Sequence, residues 1–552
     1  MLLTETGLIF RGVKPLLRLG YTAKKIGIGE LLPEIALARN AIGMGVPGRL
    51  RHVPPDAWPG DAQRGRDMVA GVFSFAGQSI ARESLSWQPD GALPEWIAAL
   101  HGFEWLRDLR SAGGERARRM AREMVSLWIG QYPKYNEATW RADVMGARMT
   151  SWIAFHDFFC STADETFRKS YFTSLTRQAR HLAKALPGKL TGLPLMKALR
   201  GLAYTGIALE DGEERLEQAF NLILAQIEEQ ILADGAHISR SPRNTFEFLQ
   251  CLVDLRTALI AAKIELPEEI QHAIDRITPA VKFFRHGDGG LAQFNGGQEG
   301  NSHLCEVTLM HSGARGKANK SLPQAGYERI IQGRSSLIMD TGVPLQSDYS
   351  DRSHAGPLSF EYSYGRDRVF VNCGTSEVAG QWRRVLRATI AHSAVTVDNK
   401  SSCQFDEEGR LTSRPTVRVK RHEDDTVAVL QAAHDGYSSQ FGLNHRRSVC
   451  LQGQGETLRG EERLTGRAGV PFAVRFHLHP DIQAAMEDGK IMLRSRSGIW
   501  WQFSTAQGTL LLEESIYVST DENPVPTQQI VITGETQEQQ TIVEWDLSRQ
   551  RL

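Results

Sequence analysis

The stretch SHAGPLSFEYSYGRDRVFVNCG, residues 353–374, decides the fold of the C-terminal half of this chain. After Leu358 apolar and polar residues alternate, a turn follows at Gly365, and a second alternating run ends at Val371. A period of two is typical of strands with one buried face, so the stretch predicts a pair of β-strands. His354 stands just before the first strand, where it is a packing residue, a metal ligand or part of an active site.

The same period of two continues through the C-terminal half. From about residue 320 onward, around ten short alternating segments are joined by Gly, Asn and Asp turns. Short strands at near-regular spacing predict a large antiparallel β-sandwich. A second histidine, His392, precedes such a strand in LRATIAHSAVTVDN, residues 386–399.

The N-terminal half has a helical period instead, from about residue 90 to 285. In WIAALHGFEWLRDLRSAG, residues 96–113, the apolar side chains form one stripe of a continuous predicted helix. Helix follows helix with no strand between, which predicts an all-α array of antiparallel hairpins. Four tryptophans recur on these helices and belong either to the helix–helix core or to a sugar-stacking cleft: Trp105, Trp128, Trp140 and Trp152.

These periods predict an N-terminal extension (1–60), a helical domain (61–285), a Gly-rich join (286–320) and a sandwich domain (321–552). Long irregular connections inside compact proteins are often functional. Sites also form preferentially where domains meet. We therefore expect a functional site beside the join.

Charge and composition exclude several classes of protein. Lys+Arg and Asp+Glu both number 64, so no overall basic charge favours nucleic acid as a partner. Six scattered cysteines form neither a disulfide framework nor a zinc ribbon. No apolar run is long enough to span a membrane, and we find no secretory signal, which indicates a cytoplasmic protein from the sequence alone.

Three motifs carry a family resemblance. ILADGAHISRSP (231–242) resembles a helix-end motif of the heparinase II/III-like polysaccharide lyases, and the two histidine-bearing stretches are similar to their sandwich motifs. HGFEWLRDL (101–109) also resembles their helical part. The resemblance implies an incomplete (α/α) toroid of helical hairpins followed by an antiparallel β-sandwich. It also implies glycan degradation in the periplasm or cell envelope.

Such lyases cleave uronate-containing polysaccharides by β-elimination. The uronate carboxylate must be neutralised, a base must remove the C5 proton, and an acid must protonate the departing O4. The resemblance assigns the neutralising role to Asn244, with Arg240, Arg352 and His354 as further catalytic candidates. Residues 286–320 contain no tyrosine to match the family's phenol, so Tyr349 is the favoured substitute.

The remaining site residues follow from the same resemblance. Arg243, Arg383 and Arg387 would bind acidic groups of the substrate, because the guanidinium fork pairs with carboxylate or sulfate. Trp105 would stack on a sugar. His354 and His392 occupy the positions of two zinc-binding histidines of some relatives, and Asn372 replaces their aspartate. A neutral amide binds zinc poorly, so a two-histidine polar site is favoured and no cofactor is required.

Three functions remain open. The first is a lyase acting on an acidic glycan. The second is a protein that has kept the lyase fold and binds an envelope glycan without cleaving it, which the replacements at Arg352 and Asn372 and the absent tyrosine favour. The third is a glycoside hydrolase, which needs a pair of carboxylates such as those of Asp234, Asp288 and Glu299.

Overall fold

The computed structural model describes residues 47–81, 86–345, 352–376, 381–424, 426–519 and 523–551. Arg49–Leu552 form one compact unit, so the helical half and the sandwich share one frame. Within the described ranges, no helix is both long and apolar enough to cross a membrane.

The helical half contains a short β-hairpin after its first helix. The hairpin strands are β1 Val72–Phe75 and β2 Gln78–Ala81. The helices are α1 Ala62–Val69, α2 Pro94–Gly102, α3 Leu106–Ala112, α4 Gly114–Gln131, α5 Ala142–Ala154, α6 His156–Cys160, α7 Glu165–Ala185, α8 Gly192–Ala208, α9 Glu213–Gln230, α10 Pro242–Ala262, α11 Glu268–Phe283 and α12 Ser302–Ser312.

One predicted helix is interrupted. The apolar stripe of residues 96–113 predicts a continuous helix, but α2 ends at Gly102 and α3 begins at Leu106. Phe103 between them has a left-handed backbone, with φ of 60°. Phe103 is fully buried and its ring lies 4.9 Å from that of Trp105, so packing outweighs the local helical preference. The break places Glu104 at a turn.

The sandwich half contains the other strands. They are β3 Ser321–Leu322, β4 Tyr327–Gln332, β5 Ser335–Asp340, β6 Phe360–Tyr364, β7 Asp367–Val371, β8 Val395–Val397, β9 Gln404–Phe405, β10 Leu411–Ser413, β11 Val417–Glu423, β12 Ala428–Tyr437, β13 Leu443–Gln452, β14 Thr457–Gly466, β15 Pro471–Leu478, β16 Gln483–Glu487, β17 Lys490–Arg494, β18 Trp500–Thr505, β19 Thr509–Val518, β20 Pro524–Glu535 and β21 Gln539–Gln550. Short helices α13 Gln381–Leu386 and α14 Ser438–Phe441 interrupt them.

Two large antiparallel sheets make the sandwich. One has the order β11-β12-β13-β14-β21-β18-β17-β16. The other has the order β19-β20-β15-β7-β6-β5-β4-β3, with β8 paired to β15. The predicted strand pair of residues 353–374 is the β6–β7 hairpin. The predicted fold, helical hairpins followed by an antiparallel sandwich, is confirmed.

Aromatic residues fill the space between the two sheets. Phe360 of β6 stacks on Trp545 of the opposite sheet with ring centroids 5.9 Å apart. Phe476 of β15 meets the same indole at 4.7 Å. The alternating polar residues of each strand point away from this layer, which is why the period of two predicts the sheets.

We predict that Gly460→Ala destabilises the sandwich. Gly460 pairs with Trp545 across β14 and β21, and a Cβ at this glycine would lie 2.0 Å from the indole. Such overpacking costs about 1–3 kcal/mol of unfolding free energy, measurable by urea denaturation. Gly130→Ala is the control, since a Cβ there meets nothing within 4 Å. Equal stability of the two variants would contradict the prediction.

Candidate functional site

The start of helix α10 positions Asn244. Ser241 caps this helix, Pro242 occupies its first turn, and the Ser241 side chain accepts the Asn244 backbone N–H. Serine before proline is a strong helix-start signal, so the sequence itself fixes Asn244 in the first turn. Asn244 is only 6% exposed.

A chain of hydrogen bonds reaches Asn244 from helix α9. His237 Nε2 lies 2.8 Å from Gln230 Oε1, which only accepts, so Nε2 carries the proton. Nδ1 then accepts from the Ser239 backbone N–H and from the Ser239 hydroxyl, at 3.0 and 2.8 Å. Burial lowers the pKa of His237 to about 3, which keeps this neutral tautomer.

The same chain fixes the orientation of the Asn244 amide. Ser239 Oγ lies 2.8 Å from His237 Nδ1 and accepts the Asn244 Nδ2–H at 2.9 Å. The amide oxygen consequently points the other way, and it is buried with no hydrogen-bond partner among the described residues. An unsatisfied buried acceptor costs about 1–3 kcal/mol, so this oxygen needs an explanation.

Arg240 lies at the contact between the helical half and the sandwich. Its backbone is left-handed, with φ of 63°. Its guanidinium pairs with Asp340 at the end of β5, and Nε donates to the Ala325 carbonyl at 2.6 Å. The same group lies 5.0 Å from the centre of the Tyr327 ring. Arg240 is 3% exposed, so its placement supports a role in joining the domains rather than a catalytic contact.

Asn295 of the join extends this network toward His354. Its Nδ2 donates to Asp340 Oδ2 at 2.9 Å and to the Tyr327 hydroxyl at 2.6 Å. Its Oδ1 accepts the His354 backbone N–H at 3.1 Å. The Tyr327 hydroxyl donates in turn to the Arg240 carbonyl at 2.8 Å. Helical domain, join and sandwich therefore meet in one buried network.

His354 and His392 form a direct hydrogen bond with each other. The Gly296 N–H donates to His354 Nε2 at 3.1 Å, so His354 carries its proton on Nδ1 and donates it to His392 Nε2 at 3.0 Å. His392 Nδ1–H then donates to the Ala388 carbonyl at 2.8 Å. Burial lowers the pKa of His392 to about 4 and, with nearby positive charges, holds the pKa of His354 well below its usual range.

This arrangement does not fit zinc. A histidine binds zinc through the lone pair of a ring nitrogen, and the lone pairs of His354 and His392 already accept N–H groups. Asn372 Oδ1 accepts the Ser393 N–H at 3.1 Å. No cluster of three or more His, Cys, Asp and Glu suited to a metal occurs in the described ranges. No step below uses a metal.

Arg352 lies close enough to His237 and His354 to act on both electrostatically. Its positive charge contributes to the lowered pKa of both His237 and His354. Its aliphatic stem packs over Gly296, where a Cβ would lie 3.1 Å from Arg352 Cβ. Gly296 has φ of 70°, a conformation that only glycine adopts without strain. The join therefore turns tightly beneath Arg352.

A row of charged side chains continues from Asn244 along α8 and α10. We call it the polar ladder, and its members are Glu104, Lys197, Arg200, Arg243, Glu247 and Asp254. Arg243 donates to Glu247 at 2.6 Å and to Gln298 of the join at 2.8 Å. Lys197 lies 3.9 Å from Glu247. The ladder thus begins at the join, one residue from Asn244.

The other end of the ladder is formed by Glu104 and Arg200. These side chains are 3.0 Å apart, and Arg200 also lies 3.5 Å from Asp254. Burial acts to raise the pKa of Glu104, but Lys197, Arg200 and Arg107 outweigh it and lower the pKa to about 2. Glu104 and Lys197 keep 44% and 37% of their side chains exposed. Helix α8 is otherwise almost entirely buried, so Lys197 marks the ladder's accessible surface.

Two predicted substrate-binding residues are corrected by the structure. Trp105 is 2% exposed, and its indole N–H donates to the Leu100 carbonyl, so it is core and not a sugar platform. Arg387 is 8% exposed, and its guanidinium donates to the Ser353 and Gly409 carbonyls, which indicates a structural role. Arg383 is half-buried on α13. Tyr349 lies outside the described residues.

The three carboxylates considered for a glycoside hydrolase have structural partners. Asp234 accepts the Gln324 and Ala325 N–H groups and so attaches the helical half to the sandwich. Asp288 pairs with the buried Arg368. Glu299 accepts the Tyr517 hydroxyl at 3.0 Å. Asp288 and Glu299 both contact the buried guanidinium of Arg368, which neutralises their charge.

A cavity of about 540 Å³ lies elsewhere, on the eight-stranded sheet between β13, β14, β18 and β21. Its lining includes Cys450, Arg459, Glu461 and Trp545 but no histidine, tyrosine or asparagine. It therefore lacks the residue types of the site around Asn244.

Sequence reasoning missed several members of the site. His237 and Ser239 stand inside the quoted stretch ILADGAHISRSP, and a polar run before Ser-Pro signals a helix start whose side chains bond locally. Glu247 stands four residues after the predicted Arg243, which is the spacing of a helical ion pair. Asp340 and Asn295 had no local signal, because their partners lie far away in the sequence.

Comparisons with known proteins identify the same family for both halves of the chain. The model described as "Heparinase II/III N-terminus" matches residues 68–308, and "Heparinase II/III-like, C-terminal" matches residues 314–546. FtsZ-localized protein C of Caulobacter vibrioides is 31% identical over 507 residues, covering 86% of this chain and 85% of that protein.

Solved structures share the fold. A crystal structure of heparinase III matches with a TM-score of 0.71 and 15% identity, over 90% of this chain and 86% of that chain. Heparan sulfate lyase HepC from Pedobacter heparinus, in a mutant form, matches with a TM-score of 0.60 and 15% identity, over 88% and 82%. At 15% sequence identity, these matches show that the fold is shared.

We predict that Asp340→Ala strongly destabilises the protein, because it leaves the Arg240 charge buried without its partner. Breaking a buried ion pair costs about 3–5 kcal/mol of unfolding free energy, measurable by urea denaturation. The control is Glu115→Ala in the exposed pair Arg118–Glu115, expected to cost less than about 1 kcal/mol. Similar losses in both variants would show that the network does not join the domains.

Proposed function

Because this chain belongs to the heparinase II/III-like family, we propose that it binds an acidic, uronate-containing glycan where α8, α10 and the join meet. In this proposal the polar ladder and Asn244 recognise the sugar chain, and cleavage is not the main activity.

One observation carries the proposal. The described histidines and the tyrosine around Asn244 already use their polar atoms in buried hydrogen bonds: His237, Tyr327, His354 and His392. Burial also lowers the histidine pKa values and raises that of Tyr327, so none is suited to exchange a proton with a sugar near neutral pH. The accessible groups of the ladder are suited to binding instead.

The ladder's charge balance favours a particular kind of glycan. Three cationic side chains alternate with three carboxylates, so the surface does not attract a densely sulfated polyanion. A sparsely charged polymer, with one carboxylate per few sugars, leaves room for hydroxyl contacts to the carboxylates. FtsZ-localized protein C, a relative named for its localisation and not for an enzyme activity, is also compatible with a binding role.

We predict that the protein binds unsulfated polyuronates at least as tightly as heparin in isothermal titration calorimetry. Arg243→Ala should weaken binding about tenfold, because a charge-assisted hydrogen bond contributes about 1.5–3 kcal/mol. The matched control is Arg418→Ala on the exposed outer face of β11, with no change expected. No saturable binding to any glycan, or equal losses in both variants, would reject the proposal.

A second candidate function is the family's β-elimination. Two residues favour it. Asn244 would neutralise the carboxylate, and Tyr349, three residues before Arg352 in the sequence, would supply the phenol. Elimination introduces a C4–C5 double bond into the uronate, so its product absorbs in the near ultraviolet.

If the protein is a lyase, polyuronates should yield this absorbance, and Tyr349→Phe should lower the rate about a hundredfold or more, as expected for loss of a general acid or base. Tyr135→Phe, at an exposed tyrosine of the helical half, is the control. No absorbance change across a broad uronate panel excludes this candidate and leaves binding as the activity.

A further inference from the structure

The two large sheets of the sandwich end in long edge strands at opposite ends of the sandwich. Strand β11 closes the eight-stranded sheet, and β19 closes the other sheet. Where the two sheets face each other, β12 lies against β4 and β16 lies against β19. The β11 edge is therefore at one end and the β19 edge at the other. An edge strand presents a row of backbone groups to which another strand can add.

The odd-numbered residues of β11 direct their backbone groups away from the sheet. The Asp424 N–H donates to the Val427 carbonyl in the turn to β12, and the β11–β12 pairing continues from there without a shift. N–H groups alternate in direction along an antiparallel strand. Val417, Val419 and Arg421 therefore point theirs outward, and none of these groups meets a backbone carbonyl elsewhere in the described residues.

Prolines show the direction of the backbone groups on β19. Pro524 and Pro526 of β20 stand opposite Val518 and Ile516, and proline has no N–H to donate across the pair. Val518 accordingly donates its N–H outward, to the Cys373 carbonyl. The even-numbered residues of β19 therefore face away from β20.

The rest of β19 offers an edge of the same length as that of β11. Its pairing with β20 continues without a shift to Thr509, so Leu510, Leu512 and Glu514 also direct their N–H groups outward. Among the described residues, no backbone carbonyl accepts from these three groups. Each edge thus presents three outward residues, spaced two apart.

The two edges carry opposite charges. Arg418 and Lys420 of β11 are exposed, and neither forms an ion pair within the described ranges. Strand β19 contains Glu513 and Glu514 but no basic residue. Glu513 lies 3.3 Å from Arg475 and keeps 43% of its side chain exposed. Two β11 edges, or two β19 edges, would bring like charges together, whereas β11 beside β19 brings opposite charges together.

We propose that β11 of one copy of this chain adds as an antiparallel strand to β19 of a second copy. The register that uses all three outward residues of each edge places Val419 opposite Leu512. Arg418 then stands opposite Glu513, and Lys420 stands next to that pair on the same face. The partially exposed Val419 side chain is covered by Leu512 at the same time.

The contact joins two different surfaces, so it does not close on itself. Each pair of copies keeps one unused β11 edge and one unused β19 edge, and further copies add to them. Such head-to-tail contacts produce rings or open filaments. No residue of the polar ladder belongs to β11 or β19, so this inference does not depend on the proposed glycan binding.

Sedimentation velocity of the full chain tests the assembly. The average mass should rise with protein concentration beyond that of a dimer, and it should fall in about 1 M NaCl, which screens exposed charges. A chain that stays monomeric at every concentration, or that stops at a dimer, overturns the inference. An acidic peptide that binds β11 of a monomeric chain would also overturn it, because the edge would then serve another partner.

Charge reversal identifies the two edges. Arg418→Glu with Lys420→Glu should leave the chain monomeric, as should Glu513→Lys with Glu514→Lys. An equimolar mixture of these two variants should assemble again, because the acidic β11 of one variant then meets the basic β19 of the other. Failure of the mixture to assemble overturns the pairing. Arg116→Glu with Arg119→Glu, on exposed positions of α4, is the control and should assemble as the wild type does.

A backbone variant tests the strand addition without changing any charge. Val419→Pro removes an outward N–H, and proline is tolerated where the N–H of an edge strand faces solvent. It should prevent assembly and leave the urea midpoint close to that of Val419→Thr, which keeps the N–H and should still assemble. Assembly by Val419→Pro overturns the inference. This comparison also decides the question if the Glu513→Lys variant does not fold.

Discussion

The buried ion pair between Arg240 and Asp340 is the interaction on which the site's geometry depends. It joins the connection between α9 and α10 to strand β5, and Asn295 attaches the join to the same carboxylate. Arg240 has a left-handed backbone, a strained conformation that persists where surrounding contacts determine it. That conformation leads directly into the Ser241 cap of α10. The domain contact and the placement of Asn244 are therefore set by the same few residues.

The same network determines what the site can do chemically. It holds His354 between the join and His392, with each ring nitrogen used in a hydrogen bond. A histidine so constrained is neutral and structural, whereas a general base needs a free lone pair within reach of its substrate. The relatives' lyase architecture is thus kept here by residues that stabilise it. In the proposed function, the accessible side chains of α8 and α10 recognise the glycan.

The fold was predictable because its signals are local. Alternation in residues 353–374 predicts the β6–β7 hairpin, and the serine–proline pair at residues 241–242 marks the start of α10. The break at Phe103 was not predictable, because the apolar stripe continues through it. The hydrogen-bond partners of the site residues were not predictable either, because they are distant in sequence. Asp340 is 100 residues from Arg240, and Asn295 is 59 residues from His354. A motif identifies Asn244 and His354, but only tertiary packing shows which of their atoms are already bonded.

The ladder and Asn244 together favour recognition by hydrogen bonding over recognition by net charge. Opposite charges along α8 and α10 neutralise one another, so long-range attraction of a polyanion is weak. Selectivity for a ligand must then come from short-range contacts. The strongest of these is the cost of binding a ligand that leaves a buried polar atom of the protein without a hydrogen bond. In the proposed function, this charge balance therefore favours a sparsely charged glycan over a densely sulfated one.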